Sequence, residues 1–165
     1  MKDGGLIEKE YMNKFQTQGK VKLVKGSILT PETAGLRFIL SLNNLSGKTD
    51  SNPLYPIFEK KWKRVKEDAK GWYTTKTGNY KLGAINVTAV QSDTWVIHML
   101  CQDENLKLNT SALEDCLKEV NAKAKYEQAS VHVSSILLDT IPEIKDMLTK
   151  HMVVNGTNVS FYEEK

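Results

Sequence analysis

The sequence is poor in the residues that mark several whole classes of protein. Two cysteines in 165 residues, Cys101 and Cys116, are too few for a disulfide scaffold. One falls in an expected strand and the other in an expected helix, without the close spacing of a zinc site, so both read as buried free thiols and no metal is expected. No apolar run approaches the roughly 20 residues that cross a bilayer. Met1 to Lys20 has no apolar stretch of the secretory-leader kind. The expectation is an intracellular chain without membrane contact, placed in the cytoplasm, with the nucleus compatible. Repeats and low-complexity segments are missing, as are a Gly-x-Ser-x-Gly elbow, a phosphate loop and His/Glu metal spacing. No cofactor is expected.

What is present is ordinary for one globular domain: 40% hydrophobic and 26% charged residues, with enough length for a core. Residues 1–19 read as a polar leader and 20–165 as the domain. The net charge of +3 and pI of about 8.7 suit phosphate-bearing partners without requiring them. Basic residues are scattered except at Lys60-Lys61-Trp62-Lys63-Arg64. That run reads as a solvated helix face, or as a docking face for weak nucleic-acid or acidic-protein contact.

The periodicity predicts β, β, α, β, β, α, β, α, β. Val21–Val24 and Arg37–Leu42 read as strands, followed by a polar loop over 43–52. Pro53 is expected to open a helix whose buried face carries Leu54, Ile57, Phe58, Trp62 and Val65; Gly71 and Gly78 punctuate the next loop. Lys81–Val90 and Thr94–Cys101 are joined by a turn short enough for antiparallel pairing. Ser111 with Glu114, and Thr140 with Glu143, read as capping boxes of the next two helices. Ser130–Ile136 lies between those helices as a strand. Asn155-Gly156 stops the last helix, and Val159–Tyr162 closes the chain. This alternation predicts an α/β fold, three layers with a mixed central sheet. Ligands of such sheets sit beyond the strands' carboxyl ends, here after Val24, Leu42 and Ile136.

Several segments resemble the macrodomain family over roughly Lys20 to Glu164. They are Lys22-Leu-Val-Lys-Gly-Ser-Ile28, Tyr80–Asn86 followed by Asp93–Met99, Gln102, Ala112–Lys118 and Ala129–Val133. The resemblance is to the branch shared by terminal ADP-ribose glycohydrolases and a chromatin-remodeller macrodomain, in which phage and bacterial proteins and the Appr-1''-p processing type also occur. It implies a cleft for ADP-ribose, a related nucleotide or an ADP-ribosylated protein. It places Ser27 where the family has an adenine-reading Asp, beside Ile28. Asn43 and Asn44, then Ser46 and Gly47, fall at the first ribose-phosphate loop. Ser134, Ser135, Ile136 and Leu137 fall at the second phosphate loop, and Asp139 near a glycohydrolase acid. The sequence departs from the family at these places: Ser27 lacks a charge, the first loop keeps one glycine, and the second keeps none.

The single residues carry alternatives. Asp139 is an acid/base candidate or a cap for the following helix. His98 and His132 read as packing residues. Cys101 lies three residues along its strand from His98, so the two face opposite ways and cannot pair. Trp62 belongs to the core, while Trp72, after Gly71, is freer to meet a ligand. Three functions compete: binding and hydrolysis of an ADP-ribose-like nucleotide, a degenerate interaction or structural module, and a cleft retuned for another nucleotide.

Overall fold

A computed structural model describes residues 18–75 and 79–164. The leader expected over 1–19 falls outside them except for residues 18 and 19, as does Gly78. Arg37–Asn44 and Thr94–Gln102 are runs of apolar and β-branched residues, and they form the centre of the sheet, β2 and β4, buried almost throughout. Around them lie β1 (Val21–Lys25), β3 (Ile85–Gln91), β5 (Ser130–Ser134) and β6 (Val159–Glu163). The six strands run in the order β1-β6-β5-β2-β4-β3. Every neighbouring pair is parallel except β3 with β4, the hairpin expected from its short turn. The mixed sheet foreseen from the alternation is therefore present, and Val24, Leu42 and Ser134 lie near the tips of three of its parallel strands.

Helices α1 (Tyr55–Phe58), α2 (Arg64–Thr75), α3 (Thr110–Glu127), α4 (Ser135–Thr140) and α5 (Ile144–Leu148) complete the fold, with a π turn over Thr149–Val153. Alternation along β4 sorts the two faces. The Lys123 ammonium of α3 lies 5.9 Å from the Trp95 ring centroid, and Cys116 of α3 approaches the Leu100 carbonyl. His98 turns the other way, within electrostatic reach of Asp68 on α2. Helices thus cover both sides, the three-layer arrangement. His98 and Cys101 do face apart, and both cysteines are buried free thiols.

Several local expectations need correction. The helix expected from Pro53 is two helices: i→i−3 bonds at Lys60 and Lys61 tighten the chain after Phe58, and Arg64 starts a new helix that runs through Gly71. The basic run is therefore the joint between α1 and α2, with Lys61 donating to the Leu29 carbonyl at 2.8 Å. Asn109, not Ser111, caps α3 by accepting from the Ala112 N–H, in keeping with the strength of Asn as an N-cap. Thr140 ends α4 instead of capping α5, and its hydroxyl donates to the Ile136 carbonyl. The third strand begins at Ile85, because residues 81–84 are spent in a turn at Gly83, whose φ is +93°. Trp72 is buried in α2, donating from Nε1 to Asn79 and meeting Tyr80 edge-on. Asn155-Gly156 stops the helical run as expected, with Gly156 at φ +96°.

Candidate functional site

The tip of β1 turns sharply at Ser27. Its carbonyl accepts from the Thr30 N–H and its hydroxyl from the Leu29 N–H, which fixes the hydroxyl's orientation. The Ile28 side chain is fully buried and anchors the turn in the core. Two donors are left, the Ser27 hydroxyl and the Ile28 N–H, and a single carboxylate takes both. Ser27 Oγ donates to Glu164 Oε1 at 2.8 Å, and the Ile28 N–H donates to Glu164 Oε2 at 2.8 Å. Glu164 follows the last residue of β6 and is itself tied by its N–H to Ser135 Oγ at 3.1 Å. One residue therefore links the tips of β1 and β6 and the start of α4, through its carboxylate and its N–H.

The tip of β2 is closed from within. Asn44 Nδ2 donates to the Lys48 carbonyl, while its Oδ1 accepts from Ser46 Oγ at 2.6 Å and from the Lys48 N–H at 3.2 Å. The Tyr80 hydroxyl donates to the Asn44 carbonyl at 2.6 Å, and Tyr55 reaches Asn43 Oδ1. Burial pushes the phenols of Tyr55 and Tyr80 up, so both stay neutral donors. Gly47 sits at φ +72°, and a Cβ built there would lie 2.4 Å from the Tyr73 ring. Only glycine fits that contact. Beneath, buried Asn52 donates to Ser41 Oγ and the Leu42 carbonyl and accepts from the Leu54 N–H. Asn52, not Pro53, organises the entry to α1. The space left among Asn43, Asn44, Gly47 and Tyr80 is about 10 Å³, room for about one water.

Ser134 to Leu137, expected as a phosphate loop, are the N-cap and first turn of α4. Ser134 Oγ accepts from the Ile136 N–H, and the Leu137 side chain is fully buried. Asp139 lies two residues on, about 200° around the helix from Leu137, and it is exposed. Beside the Glu164 contact a recess of about 310 Å³ opens, with largely apolar walls from Leu23, Val24, Leu138 and Phe161. That volume is at the lower end of small-molecule sites. The structure thus brings Ser27 and Ile28 into contact with Glu164, and Glu164 into contact with Ser135. Asn43, Asn44, Ser46 and Gly47 form a separate, internally bonded group.

One polar network was missed in the sequence. His132 Nε2 lies 2.7 Å from Ser130 Oγ and 3.2 Å from Thr33 Oγ1, and its Nδ1 lies 2.8 Å from the Tyr162 hydroxyl. Ser130 and His132 sit two apart on one face of β5, and that alternation was the available signal. Burial, helped by Arg37 and Lys22, lowers the His132 pKa to about 3. A ring so weakly basic is no proton acceptor at neutral pH, so the network is structural. His98 is lowered to about 4 by burial, against the pull of Asp68. It bonds Thr88 Oγ1 at 2.8 Å, and its Nδ1 has no partner among the described residues. No cluster of metal-ligating side chains occurs among the described residues, and none of their helices is long and apolar enough to cross a membrane.

No protein-family model matches the chain, and no curated protein matches its sequence. Solved structures do. A Streptomyces coelicolor macrodomain protein superposes with a TM-score of 0.78 at 22% identity, over 87% of this chain and 99% of that one. A protein from Bacteroides thetaiotaomicron gives 0.78 at 22%, over 88% and 100%. The macrodomain of Thermus aquaticus DarG gives 0.63 at 16%, over 88% and 99%.

Proposed function

We propose, from the macrodomain fold that this chain has, that it is a non-hydrolysing module which binds an ADP-ribose-type nucleotide, free or carried on a protein. The ligand lies over the tips of β1, β2 and β5. The observation that supports this most is the β1 turn. Ser27 and Ile28 offer a hydroxyl and an N–H that already hold a pair of oxygens at 2.8 Å each, which is the donor chemistry that reads the edge of a base or an oxygen-rich ligand. The apolar recess beside it has room for a ring. Among the described residues, the module lacks a hydrolytic acid or base at these tips: Asp139 stands on the exposed side of α4, and His98 and His132 are neutral and bonded to internal partners.

Calorimetry with millimolar ADP-ribose tests the reading. Weak but measurable heat is expected for the native chain, and about tenfold tighter binding for Ser27→Asp. That gain is about 1.4 kcal/mol: the carboxylate accepts from a base amino group more strongly than a hydroxyl does, and it repels Glu164, which leaves the Ile28 N–H to the ligand. Absence of heat from both proteins removes the nucleotide from the account. A second reading then stands, favoured by the closure of the β2 tip around Asn44: a structural or interaction module that docks acidic partners through exposed Lys60, Lys63 and Arg64.

A further inference from the structure

The two donors at the β1 tip are held in place whether or not Glu164 is there. The Leu29 N–H fixes the Ser27 hydroxyl, the Thr30 N–H closes the turn on the Ser27 carbonyl, and the Ile28 side chain is buried. Glu164 is held far less firmly. Strand pairing between β1 and β6 ends one residue earlier, at Lys25 with Glu163. Glu164 is partly exposed, and apart from its carboxylate it is tied through its N–H to Ser135. Rotation about its side-chain bonds frees both carboxylate oxygens without breaking a sheet hydrogen bond. A rigid pair of donors thus meets a movable pair of acceptors from 136 and 137 residues away in sequence.

We propose that Glu164 is an internal competitor for the nucleotide site, and that the site opens only when this carboxylate swings off Ser27 and Ile28. The proposal rests on the nucleotide reading above. A ligand that needs the Ile28 N–H finds it in use, because one N–H holds one strong acceptor at a time. Apparent affinity is then the intrinsic affinity multiplied by the fraction of molecules in which Glu164 has left. Because the two contacts are charge-assisted and made by one side chain, that fraction is small. The device lets a partner that captures the Glu164 carboxylate switch the site on, without any movement of the sheet.

The test compares the native chain with Glu164→Ala, Glu164→Gln and the neighbouring control Glu163→Ala. Each is titrated with ADP-ribose, and the Ile28 amide resonance is followed by NMR before ligand is added. The expected result is a shifted Ile28 amide and at least tenfold tighter binding in Glu164→Ala. A smaller gain is expected in Glu164→Gln, and none in Glu163→Ala. Equal affinity in native and Glu164→Ala overturns the competition while leaving the nucleotide reading intact. Weaker binding in Glu164→Ala also overturns it and makes Glu164 a ligand contact. An Ile28 amide that moves while no protein binds ADP-ribose removes the nucleotide reading, and with it anything to compete for. An Ile28 amide that does not move shows that the contact itself is not formed in solution.

Discussion

Replacing Asn52 by leucine is expected to cost about 3 kcal/mol of folding stability, a fall of roughly 6–12 °C in Tm, with the denaturant slope unchanged. Asn52 is buried, and its amide serves three groups: Ser41 Oγ and the Leu42 carbonyl, to which it donates, and the Leu54 N–H, from which it accepts. Leucine keeps the branched shape but satisfies none of them. The desolvation already spent on those groups is then uncompensated, which costs far more than an ordinary hydrogen bond returns. Because Asn52 ties the end of β2 to the start of α1, the segment from Asn44 to Ser51 should loosen, and its amides should exchange faster than those of β4. A loss under 0.5 kcal/mol in urea denaturation would show that water replaces the amide without penalty.

Lowering the pH from 7 to 5 is expected to remove stability of order 3 kcal/mol, through two histidines. Both rings are neutral in the native state, His98 with a pKa of about 4 and His132 about 3, first because of burial. In the unfolded chain each titrates near 6.5. As the pH falls through 6.5 the unfolded state takes up protons that the native state refuses, so stability declines from there toward pH 4 with a slope approaching two protons. Asp50 and Glu114, held low by Lys66 and Lys118, lose their contribution only below this window, because even unfolded carboxyls titrate near 4. His132→Gln should start less stable at pH 7, having lost its bonds to Ser130 and Tyr162, yet show about half the native slope. An unchanged slope would mean that another group takes up the proton.

The central sheet was legible because β2 and β4 are long apolar runs whose burial on both faces leaves little choice of structure. The facing of His98 away from Cys101 followed from strand alternation alone. The break between α1 and α2 was not legible: Leu54, Phe58, Trp62 and Val65 keep helical spacing across it, and tertiary packing decided the turn. Ser134 to Asp139 had a local helix signal, a serine N-cap before Ile-Leu-Leu. The segment's place in the family pattern, where a phosphate loop falls, outweighed that signal. The 43–52 segment looked like a solvated loop because its residues are polar, yet Asn43, Asn44 and Asn52 are each about 5–6% exposed and spend their amides on the loop's own backbone and neighbours. Glu164 left no trace in local pattern, since only the pairing of β1 with β6 brings it to Ser27.

On the proposed function, the tips of β1, β2 and β5 together face one nucleotide. The most direct measurement is amide chemical-shift mapping with ADP-ribose. The account predicts the largest shifts at Ser27, Ile28 and Glu164, smaller ones from Asn43 to Gly47 and from Ser134 to Leu137, and none along the β3 edge. Shifts confined to other surfaces, or a spectrum that ADP-ribose leaves unchanged at millimolar concentration, would contradict it.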